Sequence, residues 1–221
     1  MPSIVPVTNK KLLKQFIMLP FELYKGDPCW VPPLISDQLK FFDPKHNPYY
    51  KHSEVCLFLA VQDGKAVGRI SAHSNTQHNL EHKENIGFFG FYECIEDQRV
   101  ADLLIDAAYE WNRYRGFTSM RGPMNFSVNQ ECGLLIDGFD CAPMVMMRYD
   151  KQYYQKQLEA SGLTKTMDLY AYLSERREMP ERIDRVAAAI ERRTGVKIRS
   201  LSKNKKQRRK DIETVFESPE A

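Results

Sequence analysis

The chain has 221 residues, 43% hydrophobic and 28% charged, with 11 Gly and 12 Pro, which is room for about one and a half typical domains and excludes a collagenous or wholly disordered protein. The net charge of +3 is uneven: from Arg192 to Ala221 ten Lys or Arg stand against four Asp or Glu, so the body before them is mildly acidic. Apolar runs such as Leu57 to Val61 fall far short of the ~20 residues that span a bilayer, and Met1 to Lys11 lacks the basic-then-apolar pattern of a secretory leader, so a cytoplasmic location is expected.

In chain order, Ile4 to Val7 is a short apolar segment, after which Thr8 or Asn9 can cap a helix carrying Leu12, Leu13, Phe16 and Ile17. Pro20 should limit or kink it. Prolines at 28, 32, 33, 44 and 48 then predict a broken loop with a short helix around Ile35 to Phe42, and its Trp30, Phe41, Phe42, Tyr49 and Tyr50 read as an aromatic lid over a core. Val55 to Gln62 and Ala66 to His73 flank Asp63-Gly64, the composition of a tight hairpin.

After the polar connection SNTQHNLEHKEN comes a buried strand, Ile86 to Cys94, with glycines suited to close backbone contact. Val100, Leu103, Leu104, Ala107, Ala108, Trp111 and Tyr114 recur at spacings of three and four, which predicts a helix from Gln98 to Arg115 ended by Gly116. Phe117 to Gly122 reads as a strand, Lys151 to Ala160 as a helix capped by Asp150, and Thr164 to Leu173 as a further strand. Pro180 opens a helix to Arg193, and Val196 to Ile198 begins a strand. Residues 1–179 thus form one domain, 180–199 a linker helix and strand stub, and 200–221 a basic tail expected to be disordered.

Five cysteines without a C-x-x-C pair favour buried, reduced thiols over a disulfide framework or zinc site. His78 and His82, four apart, would share a face if helical, but their polar surroundings predict a solvated connection and no metal. The basic run RSLSKNKKQRRK offers cations to phosphates but reads as a solvated segment, so neither nucleic acid nor membrane is an expected partner. No H-E-x-x-H, G-x-x-x-x-G-K or G-x-S-x-G is present, which removes motif support for zinc hydrolases, P-loop NTPases and α/β-hydrolases.

The stretches DPCWVPPL, NPYYKHSEVCLFLA, GKAVGRISAH, GFFGFYEC, RGPMNFSVNQECGLLIDGF, PMVMMRYDKQYY and DLYAYL resemble a bacterial family of the acyl-CoA N-acyltransferase (GNAT-like) superfamily, from about Pro6 to Arg193. The resemblance implies an α/β fold with a mixed, largely antiparallel sheet flanked by helices. It also implies acyl transfer from acetyl-CoA or acyl-CoA to a small-molecule amine acceptor. Members generally continue into a second GNAT-like half, so the chain is expected to be a truncated member whose partner is that second lobe or a second copy.

In this fold the pantetheine arm pairs with the fourth strand and the pyrophosphate sits on the start of the next helix, where free backbone N–H groups attract anions. Here those are Ile86 to Cys94 and Gln98 to Arg115. The superfamily signature at their junction, R or Q-x-x-G-x-G or A, is replaced by CIEDQRVAD, with no glycine between Cys94 and Gly116. Glu96 and Asp97 are negative where a pyrophosphate would bind, and only Arg99 offsets them. By analogy with the fold, Glu131 is the candidate base and Tyr153 or Tyr154 the acid. Asn125 and Arg99 would hold the donor, with Phe89, Gly90 and Phe91 supplying backbone along it. Arg121, Ser127, Asn129 and Tyr149 would line the substrate side. A plainer reading has Arg121 paired with Glu131 or Asp137, the asparagines closing turns, and the domain serving as a non-catalytic lobe that binds a partner lobe or small ligand.

Overall fold

The computed structural model describes residues 1–173, 181–195 and 200–217, with backbone alone for 215–217. Two units are distinguished, Met1–Leu169 and Tyr170–Ala221. The expected boundary at 179 lies outside the described residues.

The first unit is built on one five-stranded sheet in the order β1 (Ser3–Pro6), β2 (Val55–Gln62), β3 (Lys65–His73), β4 (Ile86–Cys94), β5 (Ser119–Arg121). Neighbours run antiparallel except β4 and β5, which pair in parallel only over Ile86 to Phe88 and then part. This is the mixed GNAT-like α/β sheet that the sequence motifs implied. The β2–β3 hairpin turns on Asp63 and Gly64, both at positive φ (51° and 75°), as a two-residue turn of this composition requires. In β4 the register against β3 shifts between Arg69 and Ser71, and Phe91 opposite it sits at φ 50°. The strand therefore bulges at its middle, which re-aims its side chains.

One face of the sheet is covered by α4 (Gln98–Tyr114) and α5 (Tyr154–Ala160). Val100, Ala101, Leu104, Ile105 and Ala108 of α4 pack with Phe89, Tyr92, Tyr154 and Leu158. The buried stripe ends on Asn112, whose amide donates to the carbonyls of Phe88 and Ala108, while the expected Tyr114 is exposed. Gly116 (φ 83°) terminates the helix as expected. The other face is covered by α1 (Lys10–Leu23), α2 (Ile35–Phe41) and the proline-rich loop. There Phe126 is stacked between Phe41 (5.1 Å) and Tyr49 (4.7 Å), so the aromatic lid is real.

Several local expectations are corrected. Asn9 caps α1, accepting from the Leu12 N–H at 3.0 Å, but the helix continues through Pro20 to Leu23. The helix bond that Pro20 cannot make is replaced, since the Phe16 carbonyl accepts from Arg69 at 2.8 Å instead. The polar connection SNTQHNLEHKEN holds a helix, α3 (Thr76–His82), capped by Asn75. Thr164 to Leu173 is not a strand: the sheet ends at the three-residue β5, and the segment pairs with no strand of it. Asp150 does not cap α5, because Arg148 has claimed it. All five cysteines are free, but only Cys94 is buried and Cys141 is exposed.

The second unit contains α6 (Glu181–Thr194), an exposed helix with Ile183, Val186 and Ile190 on one face. It also contains α7 (Lys205–Glu217), where the sequence led us to expect no regular structure. The strand stub Val196 to Ile198 lies outside the described residues. Among the described residues no helix is long and apolar enough to cross a membrane.

Candidate functional site

The place to look in this sheet is the edge of β4 beyond Phe88, where β5 departs and backbone groups would be free to pair with a ligand. They are already paired. The Phe89 carbonyl accepts from the Met124 N–H at 2.8 Å, and the Phe91 N–H donates to Asn125 Oδ1 at 2.7 Å. The Tyr92 carbonyl lies 3.4 Å from the Arg148 guanidinium. The Cys94 N–H donates to the Tyr154 hydroxyl at 3.1 Å, and its carbonyl accepts from the Tyr153 hydroxyl at 2.9 Å. Gly90 explains how the loop comes so close: a Cβ there would stand 1.8 Å from the Met124 carbonyl oxygen. Its glycine lets the chain's own backbone in.

Asn125 is the centre of this closure. Nearly buried, it receives the Phe91 N–H and an Arg148 N–H (3.2 Å) on one oxygen and donates to Glu131 at 2.9 Å. Glu131 is exposed and ties the loop to itself, with its carbonyl also accepting from the Asn125 N–H. Ser127 and Asn129 form the turn between them: the Ser127 hydroxyl is bonded to Gln130, and the Asn129 N–H donates to it at 3.3 Å.

Behind the bulge lies a buried polar centre of four charged side chains, Arg69, Glu93, Arg148 and Asp150, each at most 8% exposed. Glu93 accepts from the hydroxyls of Tyr154 (2.7 Å) and Tyr24 (3.0 Å), with Arg69 at 3.6 Å. Burial pushes its carboxyl up despite both arginines. Burial likewise lowers Arg69 despite Glu93. Arg148 and Asp150 form an ion pair, and Asp150 also accepts from the Leu135 N–H at 2.8 Å. Arg148 stays firmly protonated; burial opposes its charge, but the Asp150 and Glu93 carboxylates outweigh it. Burial, then the Glu93 charge, lifts Tyr24 and Tyr154 far above an ordinary phenol.

The sequence candidates divide accordingly. Phe89, Gly90, Phe91, Asn125, Glu131, Tyr153 and Tyr154 do meet at one strand edge, as bonds within the chain. Tyr154 is fully buried, so its hydroxyl serves Glu93 and Cys94 rather than an open cleft. Arg121 pairs with Glu84 at 2.9 Å, not with Glu131 or Asp137, because β5 sets it beside the end of α3. The Tyr149 hydroxyl stands 3.1 Å from both Asp27 and the Phe139 carbonyl, and burial with Asp27 nearby pushes it up to about 12. His78 and His82 do lie side by side on α3, their rings 4.4 Å apart, but His78 is bonded to Glu84 and no cluster fit for a metal occurs among the described residues. Sequence reasoning missed Arg69, Glu93 and Arg148. The signal for the first two was present, a lone charge in each of the apolar strands AVGRISAH and GFFGFYEC.

The start of α4 is also filled. Asp97 caps it, accepting from the Arg99 N–H at 3.0 Å, and the exposed Arg99 guanidinium folds back onto the same carboxylate at 2.7 Å. The helix dipole thus has its anion from the chain. The resemblance would have an acyl-CoA take the β4 edge for its arm and this helix start for its pyrophosphate. In this structure the residues at both places do not fit it.

No protein-family model matches the chain. Over 182 residues it is 42% identical to "Bacterial ceramide synthase" of Caulobacter vibrioides (strain NA1000 / CB15N), covering 81% of this chain and 47% of that protein. Over 171 residues it is 37% identical to "Protein YghO" of Escherichia coli (strain K12), covering 77% of this chain and 44% of that one. The chain is a homologue of both over these spans, and it extends over about half the length of the curated relatives it matches. Solved structures with a partial likeness include the aminoglycoside acetyltransferase meta-AAC0020 from an uncultured soil metagenomic sample, with 12% identity, TM-score 0.48, and 80% of this chain and 97% of that one covered. Another is AAC(6')-Iy in complex with a bisubstrate analogue, with 16% identity, TM-score 0.45, and 79% and 99% covered.

Proposed function

We propose that the chain is the GNAT-like lobe of an N-acyltransferase of the kind its relative bacterial ceramide synthase represents, and that this lobe is a structural partner rather than the holder of acyl-CoA. The observation that carries the reading is the saturated edge of β4, from the Phe89 carbonyl to the Cys94 carbonyl. Those five backbone groups would have to lose intramolecular hydrogen bonds, at about 1 kcal/mol each, before a pantetheine could take them. The Asp97 cap adds a negative charge where a phosphate would arrive. Amide formation would then be performed with a second lobe that supplies the donor site.

The test is an acyl-transfer assay of the purified chain with a long-chain amine and acyl-CoA. This reading expects no amide product from the chain alone, and turnover by it would overturn the reading.

A second reading rests on Glu93. A carboxyl raised by burial and bonded to a tyrosine hydroxyl is the chemistry of a proton acceptor for an amine, with Glu93 replacing Glu131 as base and Tyr154 keeping its place as acid. It requires the Met124 to Asp150 segment to withdraw. If the chain alone turns over, Glu93→Gln should abolish activity while Glu131→Gln spares it.

A further inference from the structure

The basic run near the C-terminal end is not a random tail. Lys205, Lys206, Arg208, Arg209 and Lys210 all lie in the first two turns of α7 and all are exposed, with exposed Lys203 just before it. A helix start carries a partial positive charge, so cations there weaken the helix, and acidic residues are the stabilising choice. The neighbouring α6 follows that rule, with Glu181 and Asp184 in its first turn and Arg192 and Arg193 in its last. Helix α7 reverses it, with no acidic residue in its first turn. Its cations therefore weaken the helix start and leave a concentrated positive charge on its surface.

The geometry of the array favours a surface over a groove. At 3.6 residues per turn the five cations spread over roughly 200° of the helix circumference. Gln207 and Asp211 fill the rest, bonded to each other at 3.0 Å, with Asp211 also holding the Ser202 N–H at 3.1 Å. Arg209 pairs with Glu213, whereas no ion pair of Lys205, Lys206, Arg208 or Lys210 occurs among the described residues. Two exposed apolar side chains, Leu201 and Ile212, flank the array, Ile212 within the cationic arc. Between Leu201 and Ile212 there is no aromatic residue. Nucleic-acid readers that track a strand use aromatic platforms between their cations. Cations interspersed with aliphatic side chains suit the headgroup layer of an anionic bilayer.

We propose that α7 docks the protein on anionic membrane surfaces, its Lys and Arg side chains on lipid phosphates and Leu201 and Ile212 entering the headgroup layer. The inference stands on α7 alone and is independent of whether acyl transfer occurs in the first unit.

The test is co-sedimentation of the full chain with vesicles of phosphatidylcholine alone or with about 30% phosphatidylglycerol, at about 0.1 M and 0.5 M NaCl. Expected are binding to the anionic vesicles only, loss of at least about ten-fold in affinity at the higher salt, and a loss of more than about 100-fold in the variant K205Q/K206Q/R208Q/K210Q. A charge-preserving variant, K205R/K206R/K210R, should bind like the parent, which separates charge from folding. Equal binding to neutral vesicles, no binding to anionic ones, full binding by the glutamine variant, or tighter binding to a single-stranded oligonucleotide than to the vesicles would each overturn the proposal.

Discussion

Asn125 and Phe91 are 34 residues apart, yet the Asn125 Oδ1 accepts the Phe91 N–H at 2.7 Å, at the bulge of β4. The bond does for the strand what a further strand or a bound ligand would do: it satisfies a buried donor at the point where β5 has departed. Asn125→Ala removes that acceptor and also one partner of the buried Arg148. Leaving these groups unpaired should lower stability by about 2–3 kcal/mol, read as a shift in the urea midpoint, with little change in the slope. A change within experimental error would show that water replaces the amide there.

Gly90→Ala tests the same closure by steric means. The new Cβ would meet the Met124 carbonyl, a backbone atom that cannot swing aside as a side chain can. The loop must lift from β4, at a cost of about 1–3 kcal/mol. Limited proteolysis should then cut between Pro123 and Gly133 faster than in the parent. An unchanged digestion pattern would mean that the loop shifts without opening.

Arg148→Met should be among the most damaging single changes, about 3–5 kcal/mol, because it strips the almost wholly buried Asp150 of its ion-pair partner. Arg148→Met combined with Asp150→Asn should recover much of the loss, since the amide oxygen can still accept from the Leu135 N–H. A double-mutant cycle measures this coupling. Strict additivity would argue against the ion pair.

His73 predicts an acid limb of stability. It is fully buried, with Phe88, Tyr49 and Phe126 around the ring and Ser71 on Nδ1, and burial holds its pKa down at about 3. Between that value and the ordinary 6.5 the unfolded chain takes up a proton that the folded chain refuses. Its contribution is therefore intact above about pH 6.5 and falls as pH drops, by up to about 1.4 kcal/mol per pH unit. Urea midpoints at several pH values should decline toward acid in the parent and less steeply in His73→Phe. Equal slopes would assign the decline to other groups.

Much of the framework was legible from local rules. Asp63-Gly64 fixed the hairpin, the three-and-four spacing fixed α4, and the proline-spaced aromatics formed the lid, because each depends on neighbours in sequence. Errors arose where a distant partner decides. Pro20 is tolerated because Arg69 takes the carbonyl it leaves, Asp150 is unavailable as a cap because Arg148 holds it, and Thr164 to Leu173 reads like a strand but pairs with none. Asn125, Glu131, Tyr153 and Tyr154 lie along one strand edge, but spacing could not tell a ligand's partners from the chain's own. Glu93 was overlooked although a single carboxylate among the aromatic residues of β4 was a visible anomaly.

Titrating the purified protein with acetyl-CoA and a longer acyl-CoA by calorimetry, with desulfo-CoA and phosphate-free pantetheine as controls, reads out whether the chain itself fills the place proposed for an acyl donor. The saturated β4 edge and the Asp97 cap predict no saturable heat at high micromolar ligand. Saturable binding that depends on the phosphates would contradict the account, because it would require the Met124 to Asp150 segment to yield and Arg99 to leave Asp97.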